Sequence, residues 1–212
     1  MEEYLVPTGF GEDEFIEKKS RFIGRVWPVE TEEEAIQKIQ EMKRQHYDAT
    51  HNCWAYVIRG GAVRFSDDGE PGGTAGMPML QVLQREQLNN LVCVVTRYFG
   101  GVLLGAGGLV RAYSHGCAIA LSAAQVVMME ESRRVLIDVP YPLWDKVNHA
   151  LKALPQITED PSFGASVEAT VLIREKDLDT VLATLTALTD AKIDLLPLDA
   201  LHYPWPVPET DE

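Results

Sequence analysis

The sequence predicts an α+β protein of two domains. Three features point to it. Strand and helix periods alternate around one wholly apolar strand in the first part of the chain. The periodicity of the second part runs βαββαβ, and a short tail carries alternate prolines. A chain of 212 residues is long enough to bury two modest cores. The expected boundaries are a first domain over 1–131, a second over 132–201 and an extended proline-rich tail over 202–212.

In the first domain, Phe15, Ile16, Phe22, Ile23, Val26 and Trp27 belong to strand-like stretches interrupted by Lys18-Lys19-Ser20-Arg21. A helix then starts at Thr31, where Glu34 at the third helical position makes a capping box. Its acidic first turn, Glu32-Glu33-Glu34, suits the positive end of a helix. Asn52 to Arg59 reads as a strand, and Gly60-Gly61 as a hairpin turn into Ala62 to Phe65. Ser66 to Gly76 is polar and rich in breakers, so it is a loop. A short helix over Pro78 to Glu86 leads to Leu91-Val92-Cys93-Val94-Val95-Thr96, a strand without polar alternation whose two faces should both be buried. A second glycine-rich loop, Arg97 to Gly105, feeds a helix from about Ala106 to Ala124.

The second domain starts near Ser132. Val135, Ile137 and Val139 alternate as a strand, and Leu143 to Leu154 shows helical spacing. Gln156 to Asp160 and Val167 to Ile173 read as strands, Leu178 to Leu188 as a helix and Lys192 to Leu196 as a last strand. Together these give the split βαββαβ order. Tyr203-Pro204-Trp205-Pro206-Val207-Pro208 cannot continue a helix or a central strand.

Composition narrows the function classes. No run of eighteen apolar residues occurs, so no transmembrane helix or membrane partner is expected. Met1-Glu2-Glu3 is acidic where a secretory signal needs a basic start, which makes cytoplasm the expected location. Cys53, Cys93 and Cys117 form no CxxC and sit among apolar neighbours, so they read as buried thiols. Nineteen basic against 32 acidic residues leave a net charge of −13, a field that repels nucleic acid at long range and argues against a DNA partner.

Chemistry concentrates in the two glycine-rich loops. Gly100, Gly101, Gly105 and Gly107 lie between a buried strand and a helix start, where amides can approach an anion. Close packing and tight turning would also need them. Neither GK[ST] nor GxGxxG is present, which removes the P-loop and the dinucleotide fingerprint. Arg97 and Arg111 flank this loop and would present donors to phosphate or carboxylate, or pair with Asp68 or Glu70. The acidic loop offers Asp67, Asp68 and Glu70 as magnesium ligands, as catalytic carboxylates, or as loop caps and arginine partners. Loop capping is favoured, and no metal or cofactor is expected. His51 and Cys53 share one face of a strand, His51 as a hydrogen-bonding residue at the rim of a site. No GxSxG elbow surrounds Ser20, Ser66 or Ser114.

Ala49-Thr50-His51-Asn52-Cys53-Trp54-Ala55, Phe65 to Pro71, Gly72-Gly73-Thr74-Ala75-Gly76 and Val94 to Gly101 followed by Leu104-Gly105 resemble the bacterial YigZ group of the IMPACT family. The resemblance implies an N-terminal α/β sandwich like the second domain of ribosomal protein S5. It also implies a ferredoxin-like C-terminal domain similar to the last domain of the ribosomal translocase. The family's motif positions fall on Ser20, His51, Asp68, Glu70, Arg97, Gly100, Gly101 and Gly105, with no catalytic assignment attached.

Two readings follow. The first is a binding or regulatory module contacting RNA, the ribosome or a translation factor, with a local positive patch around Arg97 and Arg111. The second is an enzyme or small-ligand binder for a phosphorylated or carboxylate substrate, magnesium-assisted, with Asp68, Glu70 and Arg97 converging in one pocket.

Overall fold

A computed structural model describes residues 3–206. It divides into a unit of Tyr4–Met128 and a unit of Met129–Trp205, and the protein is an α+β fold. The chain of the first unit runs β1 (Tyr4–Pro7), β2 (Gly11–Glu17), β3 (Ser20–Pro28), α1 (Glu32–Gln45), β4 (His51–Val57), β5 (Val63–Ser66), α2 (Gly76–Arg85), β6 (Leu91–Tyr98) and α3 (Ala106–Ala124). Strands β2 to β6 form one antiparallel sheet in the order β2-β3-β6-β4-β5.

The unbroken apolar run of β6 has a direct cause. Leu91, Cys93 and Val95 pack with Met79 and Leu83 of α2 and Leu109, Tyr113 and Cys117 of α3. Val92 and Val94 pack with Ala35, Ile39 and Met42 of α1 on the opposite face. A strand enclosed by helices on both sides has no position for a polar residue until it emerges.

Helix starts follow the local chemistry. Thr31 Oγ1 accepts the Glu34 N–H at 3.2 Å, while Glu34 Oε2 accepts the N–H of Glu30 at 2.7 Å, so the return bond closes one residue earlier than the expected box. Helix α2 starts at Gly76, ahead of the expected Pro78, because Asp67 serves its first amides. Asp67 Oδ1 accepts from Ala75 N at 3.0 Å and Gly76 N at 2.8 Å, and Oδ2 from Gly73 N at 2.8 Å. That is the loop cap favoured from sequence.

The remaining elements are β7 (Val126–Val139), α4 (Tyr141–Leu151), β8 (Gln156–Thr158), β9 (Ser162–Phe163), β10 (Val167–Arg174), α5 (Leu178–Leu188) and β11 (Asp194–Pro206). The second unit's sheet has the order β11-β7-β10-β8, with β9 beside β10. Val135, Ile137 and Val139 of β7 and Val167, Ala169, Val171 and Ile173 of β10 bury against Val147, Leu151, Val181 and Leu185 of the two helices.

Two boundaries differ from expectation. Strand β7 starts at Val126 rather than near Ser132, and the division between the units falls inside it. Strand β11 runs to Pro206, so residues read as the start of an extended tail are strand. Among the described strands β11 pairs with β7 alone, and an edge strand tolerates proline where the missing N–H would face away from the sheet. Trp205 holds the end in place. Its Nε1 donates to Ser132 Oγ at 2.9 Å, and the Arg174 guanidinium lies 4.1 Å from its ring. Residues 207–212 of the expected tail lie outside the described residues. No helix among the described residues is long and apolar enough to cross a membrane.

Candidate functional site

The start of β4, the end of β6 and the start of β3 meet at one end of the first unit's sheet. His51 stands opposite Arg97 across β4 and β6, and Phe22 opposite Arg97 across β3 and β6. The acidic loop brings in Glu70, and α3 brings in Tyr113. Arg97 Nη1 donates to Glu70 Oε1 at 2.6 Å, and Tyr113 OH donates to the same oxygen at 2.7 Å. Arg97 Nη2 reaches Ser20 Oγ at 3.4 Å, which also accepts the Gly100 N–H at 3.2 Å. His51 Nδ1 donates to the Asp68 carbonyl at 2.8 Å and sets Nε2 3.7 Å from Glu70 Oε2.

This network is enclosed. Arg97 is 5% exposed, Glu70 7%, Ser20 and Tyr113 0%. Burial, with Cys53 and Glu70 as neighbours, pushes the Tyr113 hydroxyl far upward, so it stays protonated and donates. Burial likewise raises the Cys53 thiol, whose Sγ donates to the Asp67 carbonyl at 3.0 Å. The three cysteines are all free and buried.

Of the three side chains that the enzymatic reading brought together, two meet. Asp68 turns away, its Oδ2 accepting the Asn52 N–H at 2.7 Å and its Oδ1 pairing with Lys43 at 2.5 Å. The positive patch expected around Arg97 needs correction as well. A guanidinium paired with Glu70, with Phe22 and Phe99 rings 5.5 and 5.4 Å away, projects little net charge outward. Arg111 lies apart from this network, exposed on α3.

Above the network lies an exposed surface. Lys18 and Lys19 form the two-residue turn between β2 and β3, with φ of 45° and 66°. Both are exposed, and neither has an ion-pair partner among the described residues. Gly100 packs against this turn so closely that a Cβ there would lie 2.0 Å from the carbonyl carbon and oxygen of Lys19. The loop beyond it presents Phe99, 46% exposed, and Leu103, 81% exposed. A Cβ on Gly101 or Gly105 would meet open space. Helix α3 begins at this loop with no side-chain cap on Gly105 and no acid in its first turn. A Cβ on Gly107 would lie 3.7 Å from Arg111 Nη1. Arg111 has no ion-pair partner among the described residues. Its side chain lines a hollow of about 290 Å³ with Phe15, Glu17, Gly108, Ala112 and His115.

Gly100, Gly101, Gly105, Gly107 and Arg111, expected from the sequence as ligand-binding residues, lie in this region, and Lys18 and Lys19 join them without having been expected. The signal was available: two residues between two runs of strand-like residues are a hairpin turn.

One titration belongs to the rim. His46 Nδ1 lies 2.8 Å from Tyr98 OH, and burial lowers the pKa of His46, the nearby Arg25 adding to the effect. The unfolded chain binds a proton near pH 6.5, whereas the folded chain resists until the pH is lower. Stability is therefore full above the unfolded value and falls as the pH drops through it. Urea midpoints are expected to decline from pH 7.5 to 5.5 less steeply in His46→Gln than in the parent chain.

Comparison with known proteins bears on this arrangement. The model of the Impact N-terminal domain matches residues 18–121, the segment holding both the network and the surface. A domain of unknown function, DUF1949, matches residues 137–192. The IMPACT family member YvyE of Bacillus subtilis is 39% identical over 92% of this chain and 91% of its own. The chain belongs to the IMPACT family. An IMPACT family member of Haemophilus influenzae is 36% identical over 91% of this chain and 96% of its own. IMPACT family member YigZ of Escherichia coli is 42% identical over 57% of this chain and 61% of its own. A solved structure described as a hypothetical protein superposes with a TM-score of 0.59 at 30% identity, covering 94% of this chain and 98% of that one.

Proposed function

We propose that this IMPACT-family protein is a cytoplasmic binding module of the translation apparatus. Its ligand is the phosphate backbone of RNA, including ribosomal RNA, held on the surface of Lys18, Lys19, the Phe99–Gly105 loop and Arg111. One observation carries the reading. Two successive lysines occupy left-handed backbone, where Asn-Gly would sit without strain. Such backbone costs a non-glycine residue about 1–2 kcal/mol, and strain of this kind clusters at functional positions. Both side chains, with Arg111, have no ion-pair partner among the described residues of a chain of net charge −13. Uncapped amides at the start of α3 and an exposed Phe99 complete a surface suited to phosphate and to an unstacked base.

The architecture supports the same reading. Helices on both faces of the first sheet suit the proposed likeness to the second domain of ribosomal protein S5. The β11-β7-β10-β8 order suits a ferredoxin-like domain similar to the last domain of the ribosomal translocase.

The test is anisotropy of a labelled oligouridylate over a range of salt. Each lost phosphate contact on a single strand removes about 0.7 from the slope of log K against log salt. Lys18→Ala/Lys19→Ala/Arg111→Ala is expected to flatten the slope by about 2. An unchanged slope with a folded triple variant would overturn the proposal.

A further inference from the structure

The two edges of the first unit's sheet are treated differently by the sequence. Edge strand β2 carries exposed Glu12, Asp13, Glu14 and Glu17, charges of the kind that discourage another strand from pairing. Edge strand β5 carries Val63 and Phe65, 37% and 38% exposed, with Arg64 between them. Met77 of α2, also 37% exposed, is a further exposed apolar residue on the neighbouring helix. We infer that the free edge of β5 accepts an extended segment of a partner protein, with an acidic residue flanked by apolar ones.

The backbone shows which groups are on offer. Ile58 N donates to Ala62 O at 3.0 Å, so the next pair, Val57 and Val63, is a non-hydrogen-bonded one, as is Ala55 and Phe65. Val63 and Phe65 therefore turn their N–H and C=O groups away from β4, toward the free edge. Arg64 Nη1 donates to the Val63 carbonyl at 3.1 Å, which fits that direction. At the far end, α2 closes the edge, since a Cβ on Gly76 would lie 2.7 Å from the Ser66 carbonyl oxygen. The open stretch holds four backbone groups, of which the Val63 carbonyl is taken by Arg64 until an incoming strand displaces it, enough to seat a short strand.

Charge selects the occupant. A second copy pairing antiparallel through all four groups would set Arg64 against its own counterpart, and like charges directly opposite are destabilising. An acidic residue in that place is attracted instead. Its apolar neighbours then fall on the face of Val63 and Phe65. This inference does not rest on the RNA reading, which concerns other residues.

The probe is the peptide TVEVT, with TVKVT as its charge-swapped counterpart, titrated into the full chain with amide shifts and anisotropy as readouts. TVEVT is expected to shift the Val63 and Phe65 amides and to bind about fivefold more tightly than TVKVT. Arg64→Glu, an exposed change that leaves the backbone alone, should invert that preference. Val63→Pro removes an outward N–H not used within the sheet and should weaken both peptides. Absence of amide shifts at millimolar TVEVT, equal binding of the two peptides, or a preference unmoved by Arg64→Glu would overturn the inference. So would a concentration-dependent dimer that Val63→Pro abolishes, which would give the edge to a second copy.

Discussion

Glu70→Ala is expected to destabilise the protein by about 3–5 kcal/mol, because it leaves the Arg97 guanidinium buried with no counter-charge. Arg97 is 5% exposed, so water cannot replace the lost carboxylate without the acidic loop opening. The Tyr113 hydroxyl loses its acceptor in the same step. Urea unfolding measures the effect. Replacing both charges with apolar groups, as in Glu70→Leu/Arg97→Met, should recover most of the loss, since desolvation of a buried pair offsets much of its attraction. A Glu70→Ala protein within about 1 kcal/mol of the parent would mean that water reaches the pair. Arg97 would then be open to a ligand.

Gly100→Ala is the second large effect. Its Cβ would fall 2.0 Å from the Lys19 backbone, which no rotamer change relieves, so the β2–β3 turn must move. Overpacking of this kind costs about 1–3 kcal/mol, and displacing Lys18 and Lys19 should weaken oligouridylate binding as well. Gly101→Ala and Gly105→Ala make a contrast. Gly101 has a φ of 83°, and Gly105 a φ of 75° with ψ of 165°, both with open space around them, so they carry backbone strain alone, about 1–3 kcal/mol. Oligouridylate affinity should fall most in Gly100→Ala, the one variant of the three whose Cβ displaces the Lys18–Lys19 turn. Equal effects would count against the close approach of turn and loop.

The sequence carried much of this architecture because its signals were local. The Thr31 start, the both-face burial of β6, the span of α3 and the βαββαβ order each follow from periodicity or capping within a few residues. What it hid were consequences of tertiary pairing. Arg97 was open to a ligand or to Glu70 from sequence, and only the crossing of β6 with the acidic loop decides for Glu70. Tyr113 falls inside the expected helix over Ala106 to Ala124 with nothing local to mark its hydroxyl, yet that hydroxyl is a partner of the same carboxylate. Trp205 looked like part of a loose tail because its bond to Ser132 spans the whole second unit. Lys18 and Lys19 read as an interruption, since two positive φ values at lysine contradict local preference.

On the proposed reading, recognition belongs to the exposed cationic surface and the buried Arg97–Glu70 pair beneath is scaffold. Co-sedimentation with ribosomes at low salt separates the two. Lys18→Ala/Lys19→Ala/Arg111→Ala should leave the protein folded and in the supernatant. Glu70→Leu/Arg97→Met should pellet with ribosomes as the parent chain does. Loss of pelleting in the buried double variant, with the surface variant unaffected, would instead place recognition at Arg97 and Glu70.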